Sequence, residues 1–129
     1  MMVRDESGAI CVKPGGTAGC IFILSQLYHD GYMEARAVEQ TAVFEAAELF
    51  ARTEGTLPAP ESSHAIKVAI DEAVKCKETG EEKTILFGLT GTGYFDMYAY
   101  EKFHNGEMSD YIPTDEELEA SFATMPKVD

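Results

Sequence analysis

The residues best placed to do chemistry in this chain lie in a short run, Gly88-Leu89-Thr90-Gly91-Thr92-Gly93. Glycines in such a turn let backbone N–H groups come close to an anion or a ring, and a following helix adds partial positive charge. The spacing matches neither the dinucleotide-binding fingerprint nor a phosphate loop with its lysine, so the glycines alone read first as an ordinary tight strand-to-helix turn and only second as a phosphate site. A second run, Glu54-Gly55-Thr56-Leu57-Pro58-Ala59-Pro60-Glu61-Ser62-Ser63-His64-Ala65, has a residue order more particular than helix or turn chemistry requires. Glu54 reads either as a site carboxylate or as a solvated helix end. Adjacent Ser and His do not make a nucleophile-base pair, and Ser62-Ser63-His64 reads as a helix cap followed by a first-turn side chain.

These segments must be positioned by helices and strands that the apolar pattern marks out. A buried helix is expected over 17–29, ending at Gly31. A short strand is expected over 35–38, and a helix over 39–52 in which Val43, Ala46, Ala47 and Phe50 share a face. Gly55 stops that helix. Pro58 and Pro60 stiffen the next turn, and Ser62 or Ser63 caps a helix with an apolar stripe of Ile66, Ala69, Ile70, Ala73 and Val74. On its outer face Lys67, Asp71 and Lys75 have ion-pair spacing, and Gly80 ends it. The run 84–89 does not alternate in polarity, which predicts a central strand covered on both faces, as in a parallel α/β sheet. An amphipathic segment over 94–104 and a helix over 115–124 follow, the latter opened by a Thr114/Glu117 capping box.

Composition narrows the class. A chain of 129 residues, 45% hydrophobic, is one compact domain by default. Ten basic against 23 acidic residues give a formal charge of −13, which repels nucleic acid and anionic lipid. Cys11, Cys20 and Cys76 are odd in number and have no close pairing, so a reducing, cytoplasmic setting is expected, with no disulfide framework and no metal site. No apolar run is long enough to span a bilayer, and the N-terminus lacks a signal-peptide layout. His29 and His104 fall at helix ends, where capping is the ordinary explanation. Tyr94, Phe95, Tyr98, Tyr100 and Phe103 read as core or oligomer contact.

Together the two runs resemble the C-terminal part of the tryptophan synthase β chain, a fold-type II pyridoxal-phosphate enzyme, especially its archaeal-type variants. The resemblance covers roughly 25–128, is weak over 8–20, and divides the chain into a poorly matched segment 1–16 and a β-like domain 17–129. It implies an α/β fold, a partial parallel sheet flanked by helices, and pyridoxal phosphate as cofactor. It implies cofactor-wall roles for Thr90, whose neutral hydroxyl would meet the pyridine nitrogen, for Gly91 and Gly93, which would let the turn pass the ring, and for Glu54 as an electrostatic neighbour. Glu61 and His64 would orient the loop. The implied full reaction replaces the serine hydroxyl with indole in tryptophan biosynthesis.

Two parts of that family's machinery are absent: the lysine that joins the cofactor as a Schiff base and the glycine-rich phosphate cup. Lys13 has no matching surroundings. The chain is therefore expected to carry no catalytic residue of its own and to be inactive alone, either as a domain fragment or as one product of a split gene whose partner chain brings the missing half, and to form a homo-oligomer. A non-covalent small-ligand or phosphate-binding module, or a structural assembly partner of a split enzyme, are the alternatives.

Overall fold

The structure is a computed structural model that describes residues 2–4, 10–12, 22–32, 34 and 36–123. It falls into two compact units, one made of Met1–Ala37 with Ile112–Asp129 and the other of Val38–Tyr111.

In the first unit, β1 (Met2–Arg4) pairs antiparallel with β2 (Ile10–Val12), and α1 (Phe22–His29) follows. The predicted helix start over 17–21 lies outside the described residues. Past His29 the chain turns at Gly31, which has the positive φ of 77° that a glycine adopts without strain. α5 (Asp115–Phe122) begins with the expected capping box: the Thr114 hydroxyl accepts from the Glu117 amide while the Glu117 carboxylate accepts from the Thr114 amide at 2.9 Å.

The second unit is helical. α2 (Gln40–Glu54) and α3 (Pro60–Thr79) pack on each other, each ending at a left-handed glycine, Gly55 and Gly80. Of the α2 face foreseen from the pattern, Val43, Ala46 and Ala47 are buried, whereas Phe50 is only half-buried and Phe44, which the pattern did not single out, joins the core at 5% exposed. Ile66 of α3 is buried at 2%, but its stripe is covered only in part, since Ala73 is exposed and Val74 is 48% exposed. A 3₁₀ turn (Gly93–Phe95) leads into α4 (Met97–His104), whose Tyr100 meets Phe44 edge-on with centroids 5.0 Å apart while Phe103 stacks on the same ring at 5.5 Å. The aromatic cluster thus divides: Tyr100 and Phe103 join the core, whereas Tyr94, Phe95 and Tyr98 are 75%, 92% and 69% exposed.

The partial parallel sheet flanked by helices is overturned. Among the described residues the sole sheet is the antiparallel β1–β2 pair, 84–89 carries no strand, and 36–39 carries none either. A strand satisfies its N–H and C=O groups only through a neighbour, and no second run in this unit lies alongside 84–89 to supply them. The segment is held through one side chain instead, Phe87 packing edge-on against Phe50 of α2 at 6.0 Å, with Leu86 beside it 95% exposed.

What closes the second unit is a seam between two stretches of irregular chain. The Ala59 amide donates to the Gly91 carbonyl at 3.0 Å, the Gly93 amide donates to the Leu57 carbonyl at 2.9 Å, and Pro58 sits opposite Thr92 in a single antiparallel bridge. Proline is tolerated there because the donors come from its neighbours. The buried Tyr100 hydroxyl donates to the Pro58 carbonyl. Burial pushes that hydroxyl above the ordinary tyrosine range, since the charged form would lose its water. At the other end of the unit, Asp110 accepts from the amide of Thr41 at 2.9 Å and from its hydroxyl, capping the start of α2 from 69 residues away. These hydrogen bonds hold the Asp110 carboxyl below the usual aspartate range.

Two expected outcomes test this frame. A Cβ at Gly93 would meet the Pro58 carbonyl oxygen at 2.5 Å and Leu57 and Tyr100 at 2.9 Å, whereas one at Gly88 would meet only Thr90 Cγ2, at an ordinary 3.6 Å. Gly93→Ala should therefore cost about 1–3 kcal/mol in denaturant unfolding while Gly88→Ala changes little. For Asp110, the folded carboxyl titrates below the unfolded one, so its stabilisation is complete above about pH 4 and is lost as pH falls through the folded value. Asp110→Asn should lower Tm by a few degrees at neutral pH and flatten the acid limb of the stability curve, as read by thermal melts across pH.

Candidate functional site

The seam fixes where the glycine-rich turn sits. Thr90 comes just before it, opposite the first turn of α3, and its backbone amide donates to the Ser62 hydroxyl at 3.1 Å. The two hydroxyls, Ser62 Oγ and Thr90 Oγ1, also lie 3.1 Å apart. Ser62 is buried at 3% and Thr90 is exposed. The site residue expected from sequence thus stands at the surface with a buried hydroxyl behind it.

Ser62 or Ser63 is expected from the sequence as a helix cap, and neither is one. α3 instead starts with Pro60 at its first position after Ala59, without a side-chain cap. Ser63 turns its hydroxyl back to the Ala59 carbonyl at 2.9 Å and is fully buried, leaving Ser62 to face the turn. The signal for Ser62 was available: it lies one helical turn before Ile66, on the apolar stripe, where a hydroxyl needs a partner. Tyr100, read from sequence within an aromatic cluster, is the other residue whose role emerged here.

Gly91 and Gly93 owe their small size to the chain's own packing. A Cβ at Gly91 would lie 2.9 Å from Ala59 Cβ, and Gly93 backs onto Pro58, Leu57 and Tyr100. The turn also has fewer donors to offer than its glycines suggest, because the Thr90 and Gly93 amides are already bonded to Ser62 and Leu57.

Glu54 is the last residue of α2 and exposed, with no hydrogen bond or ion pair among the described residues, so nothing links it to Thr90. His64 is exposed, its Nδ1 3.0 Å from the Pro60 carbonyl. His104 lies 3.7 Å from Glu48 and His29 3.1 Å from Asp30. Asp30 is held below the ordinary aspartate range by the Gln26 amide first and His29 second. Lys67 and Asp71 form the ion pair their spacing predicted, at 2.5 Å. A shallow groove of about 170 Å³ between α2 and α3 is lined by Ala42, Glu45, Ala46, Leu49, Lys67 and Ile70, with Lys67 already engaged by Asp71. Among the described residues no cluster of metal-ligating side chains occurs, and no helix is long and apolar enough to cross a membrane.

The neutral hydroxyl of Thr90 suits an acceptor such as an unprotonated ring nitrogen, so this residue is compatible with the ring-nitrogen end of pyridoxal phosphate.

No family model matches the chain. Individual proteins do. The chain is 65% identical over 88 residues to the tryptophan synthase beta chain 2 of Aquifex aeolicus, an alignment covering 68% of this chain and 20% of that protein. It is 60% identical over 86 residues to the tryptophan synthase beta chain 2 of Methanosarcina acetivorans, covering 67% and 20%. With the tryptophan synthase beta chain of Thermococcus onnurineus the identity is 55% over 97 residues, covering 75% and 21%. The match therefore takes in about a fifth of the length of these curated relatives. Identity at this level, over two thirds or more of the chain, means that the chain belongs to the tryptophan synthase β family as a C-terminal part of it.

Proposed function

We propose that this chain contributes the pyridine-side wall of a pyridoxal-phosphate site for the β-replacement of serine with indole, and that it is inactive alone. The family is pyridoxal-phosphate dependent. The observation that carries the reading is Thr90: an exposed residue whose neutral hydroxyl is held at a fixed turn, in a chain closely related to tryptophan synthase β chains. When bound, the cofactor supplies an electron sink. Thr90 would donate to its ring nitrogen and keep that nitrogen unprotonated, which moderates the sink and favours β-elimination and β-replacement over competing carbanion chemistry. In this reading the lysine and phosphate cup come from the part of the enzyme outside the matched region, whether on a partner chain or in the rest of a longer one. Gly91 and Gly93 serve this wall by holding the turn against Leu57–Ala59; Glu54, exposed at the end of α2, would act through charge.

The non-covalent phosphate-binding alternative is weakened by the charge of −13. Partnership is favoured by exposed apolar side chains in the second unit, among them Leu86 at 95%, Phe95 at 92% and Met97 at 53%. The partner reading places the missing portion of the enzyme over them; self-association into a homo-oligomer is the competing outcome.

Titration of the purified chain with pyridoxal phosphate, alone and mixed with a tryptophan synthase β chain truncated to lack this region, followed by borohydride reduction and mass analysis, tests the proposal. Binding and turnover only in the mixture, with any covalent adduct on the truncated chain, is the expected result. A stable homo-oligomer indifferent to both the cofactor and the truncated chain would sink it. Thr90→Ala should weaken cofactor binding in the mixture about 5- to 10-fold, the loss of one hydrogen bond of roughly 1 kcal/mol; unchanged affinity would remove Thr90 from the site.

A further inference from the structure

Ser62 has one proton to donate and little choice of where to send it. Its oxygen already accepts the Thr90 amide at 3.1 Å, and its other polar neighbour is Thr90 Oγ1, also at 3.1 Å. The side chain is buried, with only 3% of the residue exposed. If the Thr90 hydroxyl donated to Ser62, the serine proton would be left buried without an acceptor, a loss of about 1–3 kcal/mol. If Ser62 donates to Thr90, every group is satisfied. The exposed Thr90 hydroxyl then keeps its own proton for an acceptor outside the chain.

We infer that Ser62 is a positioning residue that sets the polarity of Thr90, filling one lone pair of its hydroxyl and committing its proton to an external acceptor. The inference deepens the proposed function and rests on the reading of Thr90 as the ring-nitrogen partner. It explains why that partner acts as a donor. A free threonine hydroxyl can accept from a protonated ring nitrogen as readily as it donates to a neutral one. One that is pinned from behind by a serine O–H, next to an amide that holds the same serine in place, is biased toward the neutral ring. The orientation is thus built into the first turn of α3, in a residue that need not touch the ligand.

The experiment has two arms, both with the full chain. In the first, three-bond couplings across the Thr90 side chain are measured by NMR in the unliganded protein. The wild-type chain should show one rotamer, and Ser62→Ala should show averaged couplings with faster exchange of the Thr90 amide. Couplings unchanged in Ser62→Ala overturn the inference. Should Ser62→Ala lose helix content, Ser62→Cys, close in shape but a weaker donor, replaces it. In the second arm pyridoxal phosphate labelled with ¹⁵N at the ring is bound in the mixture with the truncated β chain, and the nitrogen shift is followed from pH 6 to 8. The ring nitrogen should stay unprotonated with the wild-type chain and with Thr90→Ser, become partly protonated with Ser62→Ala, and bind about 3- to 10-fold more weakly there, as expected for one misdirected hydrogen bond. A nitrogen shift identical in wild type and Ser62→Ala overturns the inference while leaving the proposed function standing. Failure of the wild-type chain to bind the cofactor in the mixture defeats the proposed function instead, and the coupling arm then decides the role of Ser62 without it.

Discussion

The seam between Leu57–Pro58–Ala59 and Gly91–Thr92–Gly93 is the contact on which the helical unit depends. It joins parts of the chain more than thirty residues apart with two backbone hydrogen bonds, and the Tyr100 hydroxyl locks it by donating to the Pro58 carbonyl between them. Each participant is there for a physical reason. Pro58 fits because it is not asked to donate, Gly93 because three neighbours crowd the place a Cβ would occupy, and Tyr100 because its ring also fills the space against Phe44. Helices α2 and α3 could pack without the seam, but the turn carrying Thr90 would have no fixed place.

That constraint makes the candidate site a by-product of packing in the useful sense. The glycines are consumed in bringing the turn close to the start of α3, and closeness is what lets buried Ser62 bond both the amide and the hydroxyl of Thr90. A surface threonine normally samples several rotamers and donates or accepts as its surroundings ask. Here a buried partner restricts it, so a short polar contact converts backbone architecture into a directed hydrogen bond.

The chain also displays surface that its own residues do not cover. α3 buries its apolar stripe only near Ile66, and the stretch from Ile85 to Leu89 exposes large apolar side chains, while Phe87 packs against Phe50. Both features accord with a sequence that matches only about a fifth of the length of its relatives. A parallel sheet is assembled from several βαβ units, each strand satisfied by the next, and one apolar run cannot make that sheet alone.

Local signals were legible in the sequence because they are decided by residues close together along it. The left-handed glycines that end α2 and α3, the capping box of α5, the Lys67–Asp71 pair and the buried face of α2 all follow from spacing within a turn or two. Thr90 was identified as the residue to watch through a resemblance carried by two quoted runs. Neither source could tell that 84–89 would stay unpaired, because the strand pattern records how apolar a segment is and says nothing of whether a neighbour exists to bond it. Nor could they tell that Ser62 would leave the cap of its helix for Thr90, or that Tyr100 would hold Pro58, since each of those contacts spans 28 or more residues. The sequence by itself determined where helices run and which faces are apolar; the tertiary structure alone decided which hydroxyl stands behind which, because hydrogen bonds between distant segments exist only once packing has brought them within reach.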